Sequence, residues 1–246
     1  MESKVIVITG ASSGIGAALA EKLAGGGHRL ALAARRKKEL DEVAARCGAG
    51  QLAVVMDVTK REDMQRLRDE TLKRFQAIDV WVNNAGRGVG RKVLELADPE
   101  FDEIINVNLR SVLYGMQVII PYFQQRGTGH LINVSSYLSV VPLLSYRSIY
   151  SAAKSAVNSL TASLQADLRD THPEIAISLV IPGAVSTDFA KNALGGSPAG
   201  PRMKPQDVQE VAGVMADLID HPKPVSFTDP VLPERARAYF ADVYGK

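Results

Sequence analysis

Tyr150 and Lys154 are the two residues of this chain whose types and spacing most directly suggest acid/base chemistry. They stand four positions apart in a stretch with helical periodicity, so their side chains share one helix face. A tyrosine ordinarily titrates near pH ~10, and a neighbouring ammonium group lowers the pKa of the phenol because it stabilises the phenolate. The pair predicts a group that exchanges protons near neutral pH, although a lone Tyr-x-x-x-Lys pair is more often a plain feature of a helix surface.

Two adjacent serines, Ser135 and Ser136, directly follow a short apolar segment upstream of this pair. A serine hydroxyl at such a position can hydrogen-bond the oxygen of a substrate carbonyl while Tyr150 donates the proton. The three residue types together predict proton transfer between a tyrosine and a carbonyl or alcohol oxygen.

A glycine-rich turn lies near the N-terminus, where residues 9–16 read TGASSGIG. It follows a β-branched run and opens a helix-like segment, which is the context that gives a glycine fingerprint meaning. Its glycines let backbone N–H groups approach a pyrophosphate at the helix N-terminus. The spacing of Gly10, Gly14 and Gly16 differs from the common GxGxxG pattern, so a plain strand-to-helix turn stays open as the alternative.

The end of the second predicted strand carries Ala34, Arg35 and Arg36, with no acidic residue. An acidic residue at this place would bind the 2′-hydroxyl of an adenosine ribose, whereas an arginine pairs with a 2′-phosphate. Ordinary surface charge is the alternative, but cations are slightly unfavourable at a helix N-terminus. We therefore predict that Arg35 binds the 2′-phosphate of NADP(H).

Short apolar strands and amphipathic helices alternate along the chain. The predicted strands are 5–9, 30–34, 52–56, 80–82, 131–134 and 175–181, and the predicted helices are 17–24, 37–47, 61–75, 99–123, 150–169 and 233–244. Strands that are apolar throughout, with a helix between each pair, indicate a parallel sheet covered on both faces. The predicted fold is therefore α/β: a single-domain, doubly wound, Rossmann-type and mostly parallel sheet with helices on both faces. One domain over 1–246 is expected, with a substrate loop at about 189–205 and a C-terminal segment at about 222–246.

Composition excludes several classes of protein. The 246 residues carry a net charge of only +2 without a dense basic stripe, which argues against nucleic acid as a partner. The single cysteine, Cys47, cannot form an internal disulfide, and the four histidines have no metal-ligand spacing, so no metal is expected. No secretory leader and no apolar run of about 18 residues is visible, which predicts a cytoplasmic protein without a membrane span.

Six motifs occur together and in order, and they strongly resemble those of the short-chain dehydrogenase/reductase family. They are TGASSGIG at 9–16, NNAG at 83–86, VNL at 107–109, SS at 135–136, YSAAK at 150–154 and PGAVST at 182–187. The resemblance covers about 4–189, some three quarters of the chain.

The resemblance implies a role for each matching residue. Tyr150 would be the general acid/base, Lys154 would hold the nicotinamide ribose, and Asn108 would support a proton relay through water. Asp57 and Val58 would meet the adenine, and Val185 and Thr187 would hold the carboxamide. The complete implied cofactor site is Gly10, Ser12, Ser13, Gly14, Ile15, Gly16, Arg35, Asp57, Val58, Asn84, Ala85, Gly86, Tyr150, Lys154, Pro182, Gly183, Val185 and Thr187.

Two features depart from the family pattern. The catalytic serine usually lies thirteen residues before the tyrosine, whereas here Ser136 lies fourteen and Ser135 fifteen before Tyr150. We prefer Ser136 because it needs less loop distortion, with Ser135 as the reserve. The C-terminal segment lacks the family's usual VDGG-like ending, and the apolar stripe on its predicted helix suggests core packing or a subunit contact.

The sequence therefore predicts an NADP(H)-dependent oxidoreductase that interconverts a carbonyl and an alcohol. An epimerase or dehydratase on the same scaffold, and a non-catalytic NADP(H)-binding protein, are the alternatives. The expected partners are a small and fairly apolar substrate and further copies of the chain in a homodimer or homotetramer. Val140, Val141, Leu143 and Leu144 suggest the apolar pocket, and the loops around it carry no diagnostic charged clamp.

Overall fold

A seven-stranded parallel sheet forms the centre of the molecule in the computed structural model, which describes residues 3–196 and 204–245. The strands are β1 (Val5–Thr9), β2 (Arg29–Ala34), β3 (Leu52–Val55), β4 (Val80–Asn83), β5 (Gly129–Val134), β6 (Ile175–Ile181) and β7 (Val225–Phe227). Their order is β3-β2-β1-β4-β5-β6-β7, and every neighbouring pair is parallel. The predicted α/β, doubly wound class is confirmed, and the sheet is parallel throughout the described residues.

Helices cover both faces of this sheet. They are α1 (Gly14–Gly25), α2 (Lys37–Arg46), α3 (Arg61–Phe75), α4 (Asp98–Ile105), α5 (Ser111–Arg126), α6 (Ser148–Leu168), α7 (Val208–Asp220) and α8 (Leu232–Tyr244). Successive residues of a strand point to opposite faces. Ile6 and Ile8 of β1 accordingly pack with α1, α2 and α7, whereas Val5 and Val7 pack with α3, α5, α6 and α8.

The order of the strands creates the place where a site can form. The chain runs outward from β1 through β2 to β3, and it then returns to the other side of β1 to start β4. The crossovers on the two sides of β1 therefore diverge and leave a crevice beyond the carboxyl ends of β1 and β4. Open α/β sheets bind ligands at this switch point.

The structure contains one strand and one helix that were not predicted, and it divides one predicted helix into two. The strand β7 has three residues, and its half-exposed sequence at the sheet edge gives no strong periodic signal. Helix α7 was also not predicted, although Asp207 caps it by accepting a hydrogen bond from Gln209 N. The long helix predicted at 99–123 is two helices, α4 and α5, separated by a π-helical turn at Asn106–Arg110.

The C-terminal helix α8 uses its apolar stripe in part for the core. Ala236 is buried and Tyr239 packs against the same cluster, whereas Phe240 and Val243 are exposed by 40% and 51%. Residues 197–203 of the predicted substrate loop and Lys246 of the C-terminal segment lie outside the described residues. Among the residues that the structure does describe, none of the helices has the length and apolar character needed to cross a membrane.

Candidate active site

The turn after β1 and the end of β4 are joined by a small set of hydrogen bonds. The Thr9 hydroxyl donates to Val82 O and accepts from the backbone N–H groups of Asn84 and Ala85. The Asn84 carboxamide donates to Thr9 O at 2.8 Å and to Gly10 O at 3.3 Å. Asn84, which was predicted to line the cofactor site, therefore also fixes the backbone of the glycine turn.

Close backbone contacts explain why glycine occupies this turn. A Cβ on Gly16 would lie 2.4 Å from Gly10 O and 2.6 Å from Asn84 Nδ2. Gly10 and Gly14 have φ values of 68° and 57°, which L side chains rarely adopt. Ser13 is the last residue before α1, so the turn presents the N-terminus of α1 toward the crevice. This arrangement suits the negative charge of a phosphate group.

The two arginines after β2 differ in their contacts. Arg36 donates from Nη2 to Ser13 Oγ at 2.7 Å and Ser12 Oγ at 3.1 Å, and its Nη1 lies 3.3 Å from Glu39. Arg35 is exposed and has no hydrogen bond or ion pair with any described residue. The predicted residue is thus available to an anion, and its neighbour is already placed over the glycine turn.

The predicted adenine-binding pair lies at the end of β3. Asp57 Oδ1 accepts hydrogen bonds from the backbone N–H and the hydroxyl of Thr59. Asp57 does not cap α3, since that helix begins only at Arg61. Val58 is buried in the core on one face of the sheet. Asp57 is therefore held in place by Thr59 after the end of β3, and the Val58 side chain packs into the core.

Tyr150 and Lys154 lie on α6, as their spacing predicts, and the structure buries both side chains. The Lys154 ammonium donates to Val134 O at 2.8 Å and has no carboxylate partner among the described residues. A Cβ on Gly86 would lie 3.8 Å from Lys154 Nζ, which places the NNAG segment next to the lysine. Burial lowers the pKa of Lys154 to about 8.

Burial and two neighbouring residues shift the pKa of the Tyr150 phenol. Burial raises its pKa, whereas the Ser136 side chain, which is within hydrogen-bonding reach, and the positive charge of Arg147 oppose this rise. The Lys154 charge was expected to act on the phenol. Lys154 is not among the groups that shift the pKa of the phenol in this structure. Burial lowers the pKa of Lys154 itself, and negative charge in the crevice would oppose this by favouring the protonated amine.

Ser135 and Ser136 face different surroundings. Ser135 Oγ donates to Asn158 Oδ1 at 2.5 Å and lies 3.1 Å from Ser139 Oγ. Ser136 Oγ accepts a single long hydrogen bond from Leu138 N at 3.2 Å and is the serine within reach of Tyr150. The alternation of a strand end separates the two hydroxyls and puts Ser136 beside the phenol.

Asn108 lies in the π-helical turn between α4 and α5 and is fully buried. Its Nδ2 donates to Arg87 O at 2.9 Å and Ile104 O at 3.0 Å, and its Oδ1 accepts from Arg87 N at 3.1 Å. The side chain is therefore occupied by backbone groups. A π-turn disturbs the regular i→i−4 pairing of helix carbonyls, and such turns are frequent at functional sites.

The segment 182–187 connects the region after β5 with the glycine turn. Tyr137 N donates to Pro182 O at 2.7 Å, and Gln206 N donates to Ala184 O at 2.8 Å. A Cβ on Gly14 would lie 3.4 Å from Thr187 Cγ2, so Thr187 closes against the glycine turn. A cavity of about 260 Å³ between them is lined by Ser13, Gly14, Ala17, Ala18, Glu21, Ser186, Thr187, Asp188, Val208 and Gln209.

Two contributors to this site were not assigned from the sequence. Arg36 was given no role of its own beside Arg35, and its contacts with Ser12 and Ser13 depend on the close approach of two loops. Arg147 lies three residues before Tyr150 and is buried. Its three-residue spacing from Tyr150 is visible in the sequence, but the burial of its guanidinium is not.

Comparison with known proteins places these features in a family. The sequence model of the family described as short chain dehydrogenase matches residues 4–196. An uncharacterized oxidoreductase of Staphylococcus saprophyticus is 34% identical over 216 residues, which is 86% of this chain and 90% of the relative.

Two solved structures are similar over almost the whole chain. A short chain dehydrogenase/reductase from Burkholderia phymatum in complex with NAD has a TM-score of 0.89 and 28% identity, covering 99% of this chain and 95% of that one. A short-chain dehydrogenase from Sphingobium yanoikuyae in complex with NADPH has a TM-score of 0.83 and 29% identity, covering 98% and 94%. Similar structures thus hold either cofactor.

The burial of Lys154 leads to a stability prediction. The pKa of Lys154 is 10.5 in the unfolded chain and about 8 in the folded protein, so burying the ammonium group lowers the free energy of unfolding. This loss of stability is fully present below pH 8 and disappears as the pH rises through 10.5. At ~1.36 kcal/mol per pKa unit this is about 3 kcal/mol, less about 1 kcal/mol for the lost bond to Val134 O. Lys154→Met should therefore stabilise the ligand-free protein by about 2 kcal/mol at pH 7, measured by urea unfolding.

The gain of Lys154→Met should shrink when unfolding is repeated at pH 9.5, since the native lysine is then largely neutral. Lys73→Met, which removes an exposed lysine of α3, serves as the control and should change stability little at either pH. A Lys154→Met protein that is less stable than the native protein at pH 7 would contradict the argument.

Proposed function

The chain belongs to the short-chain dehydrogenase/reductase family of oxidoreductases, and we propose that it is an NADP(H)-dependent enzyme that interconverts a carbonyl and an alcohol, with Tyr150 as general acid/base. The observation that carries this proposal is the burial of Tyr150 and Lys154 together beyond the carboxyl ends of the strands, with Ser136 within reach of the phenol. This is a proton donor, a cation and a hydroxyl at the ligand-binding edge of the sheet.

The residues around the crevice fit a dinucleotide. The glycine turn is a cradle that a Cβ at Gly16 would fill, and the start of α1 offers backbone N–H groups to a pyrophosphate. The expected contact of Asp57 and Val58 with the adenine, and of Val185 and Thr187 with the carboxamide, is consistent with their places around the crevice. When bound, NADP(H) supplies or accepts the hydride.

Each member of the acid/base set has a distinct task in the proposed reaction. Tyr150 donates its phenolic proton to the carbonyl oxygen in reduction and takes it back in oxidation. Ser136 donates a hydrogen bond to the same oxygen and holds it beside the phenol. Lys154, once protonated, stabilises the phenolate that Tyr150 becomes.

Asn108 is proposed to support a water-mediated proton relay through its backbone. Its carboxamide is already occupied by Arg87 and Ile104, so the side chain keeps the π-turn in shape. A π-turn disturbs the regular i→i−4 hydrogen bonds, so a backbone carbonyl of the turn can accept a hydrogen bond from a water molecule. This water would return a proton to Lys154 and then to Tyr150.

The alternatives have less support. A non-catalytic NADP(H)-binding protein does not need a buried Tyr150–Lys154 pair, whose burial raises the folding cost. An epimerase or dehydratase on the same scaffold has no described residue in its favour. A homodimer or homotetramer stays a prediction.

The cofactor preference of the proposed enzyme depends on Arg35 and Arg36. A charge-assisted contact of Arg35 with a 2′-phosphate contributes ~1.5–3 kcal/mol, so NADPH should bind more tightly than NADH. Arg35→Ala should remove most of this difference, and Arg35→Ala/Arg36→Ala should remove the rest, by fluorescence titration of both cofactors. Lys38→Ala, which removes an exposed cation in the first turn of the helix that follows, is the control and should preserve the preference. Equal affinity of the native protein for both cofactors would refute the assignment.

The role of Tyr150 is tested by Tyr150→Phe, which keeps the ring and removes the transferable proton. NADPH should still bind, while turnover of a carbonyl substrate found by screening ketones and alcohols should fall by ~10²–10⁴. Tyr146→Phe changes a neighbouring phenol outside the set and should retain turnover. Near-native turnover by Tyr150→Phe would rule out the proposed mechanism.

Substitution of the two serines should have different effects, one on turnover and the other on stability. Ser136→Ala should lower turnover by ~10² with little change in NADPH affinity, because it removes a donor to the substrate oxygen. Ser135→Ala should mainly lower stability, by about 1–2 kcal/mol in urea unfolding, because Asn158 Oδ1 loses its hydrogen-bond donor. The reverse ranking in turnover would transfer the catalytic role to Ser135.

A further inference from the structure

Two cations are buried beside Tyr150, and the proposed function uses only one of them. Lys154 and Arg147 are exposed by 3% and 6%, and no other Lys, Arg, Asp or Glu among the described residues is buried. Arg147 immediately precedes α6 and stands three residues before Tyr150, whereas Lys154 stands four after it. Both cations therefore flank the phenol on one side of the helix.

Arg147 has one side-chain hydrogen-bond partner among the described residues, and its guanidinium also lies 5.5 Å from the centre of the Tyr146 ring. Its Nη1 donates to Val89 O at 2.8 Å, and no carboxylate pairs with it among the described residues. Its Nε and Nη2 atoms make no hydrogen bond to any residue that the structure describes. These two atoms form the edge of a guanidinium that binds a carboxylate with two parallel hydrogen bonds.

Two neighbouring arginines, unlike Arg147, do have carboxylate partners. Arg87 forms an ion pair with Glu103, and Arg91 lies 3.1 Å from Glu100. Both are more exposed than Arg147, and both are neutralised by α4. A buried charge without a counter-charge is costly, and proteins normally pair such groups or present them to a ligand.

The guanidinium lies next to the place where a substrate must sit. A Cβ on Gly88 would be 2.8 Å from Arg147 Nη1, 3.0 Å from Phe189 Cε1 and 3.2 Å from Ala193 Cβ. The Phe189 ring is in turn 5.5 Å from the ring of Tyr150. Arg147 therefore belongs to the same small volume as the catalytic phenol and the start of the substrate loop.

We propose that Arg147 binds a carboxylate group of the substrate, so that the physiological substrate is an oxo acid or hydroxy acid with an otherwise apolar body. This inference rests on the proposed function and specifies its substrate class. It also replaces the expectation from sequence that the pocket has no charged clamp. Phe189 and Leu144 would contact the apolar part, and Arg147 would orient the acid so that the carbonyl faces Tyr150 and Ser136.

A binding experiment tests this proposal without requiring turnover. Straight-chain alkanoates of four to eight carbons and the matching primary amides are titrated by calorimetry into the NADP⁺-saturated protein. We expect the best carboxylate to bind at least 10-fold more tightly than its amide. Arg147→Gln should remove this preference and leave amide affinity within about 3-fold, whereas Arg147→Lys should retain part of it. Arg91→Gln, which removes a neighbouring paired cation, should keep the preference.

Kinetics with 2-, 3- and 4-oxoalkanoates and their methyl esters provide the second readout. For the native protein, kcat/KM of the best acid should exceed that of its methyl ester at least 10-fold. Arg147→Gln should lower this acid-to-ester ratio to near one, mainly by raising KM for the acid. If acids and amides bind equally, or if Arg147→Gln weakens both alike, the proposal is overturned. An equal fall for acid and ester with a shifted pH profile would instead identify Arg147 as a positioning residue for Tyr150. Selective acid binding without any turnover would contradict the proposed function and leave the carboxylate site standing.

Discussion

The hydrogen bonds of Thr9 and Asn84 hold the ends of β1 and β4 together, and the geometry of the whole crevice depends on them. Thr9 accepts two backbone N–H groups from the NNAG segment, and Asn84 donates to two carbonyls of the glycine turn. Gly16 then has no room for a Cβ. This contact positions the start of α1 on one side of the switch point and Gly86, next to Lys154, on the other.

A buried polar chain supports the other half of the site. Trp81 Nε1 donates to Asn83 Oδ1, Asn83 Nδ2 donates to Asn133 Oδ1, and Asn133 Nδ2 donates to Thr161 Oγ1. It crosses from β4 through β5 to α6, the helix that carries Tyr150 and Lys154. Satisfied buried networks favour one arrangement over near alternatives, because a shift leaves a polar group without a partner. The acid/base helix is thereby fixed against the strands that carry Ser136 and the NNAG segment.

The site concentrates features that oppose stability. Lys154 and Arg147 are buried cations without carboxylate partners among the described residues, Tyr150 has a raised pKa, and α4 is separated from α5 by a π-turn. The apolar clusters on the two faces of the sheet offset these costs. Such a distribution is expected where a protein sacrifices some stability for charge and shape that only a ligand completes.

The sequence by itself determined the order and type of most elements and the identity of the main chemical groups. The apolar strands β1 and β6 and the helix α3 have the predicted bounds, because hydrophobic periodicity is a local property of the chain. Tyr150 and Lys154 were readable for the same reason, since a four-residue spacing on a helix puts two side chains on one face. The three-residue edge strand β7 and the helix break at Asn106–Arg110 were not readable, because neighbouring elements rather than local pattern produce them.

Only the tertiary structure decided how charges and hydroxyls meet across loops. Ser135 and Ser136 are adjacent and chemically identical, and only the fold brings Asn158 to Ser135 and Tyr150 to Ser136. Arg36 over the serines of the glycine turn, and Arg147 beside Gly88 and Phe189, likewise depend on contacts between distant segments. Burial and the distance to a counter-charge depend on the complete fold, so a sequence can name the ionisable groups of a site but not which of them stays without a partner.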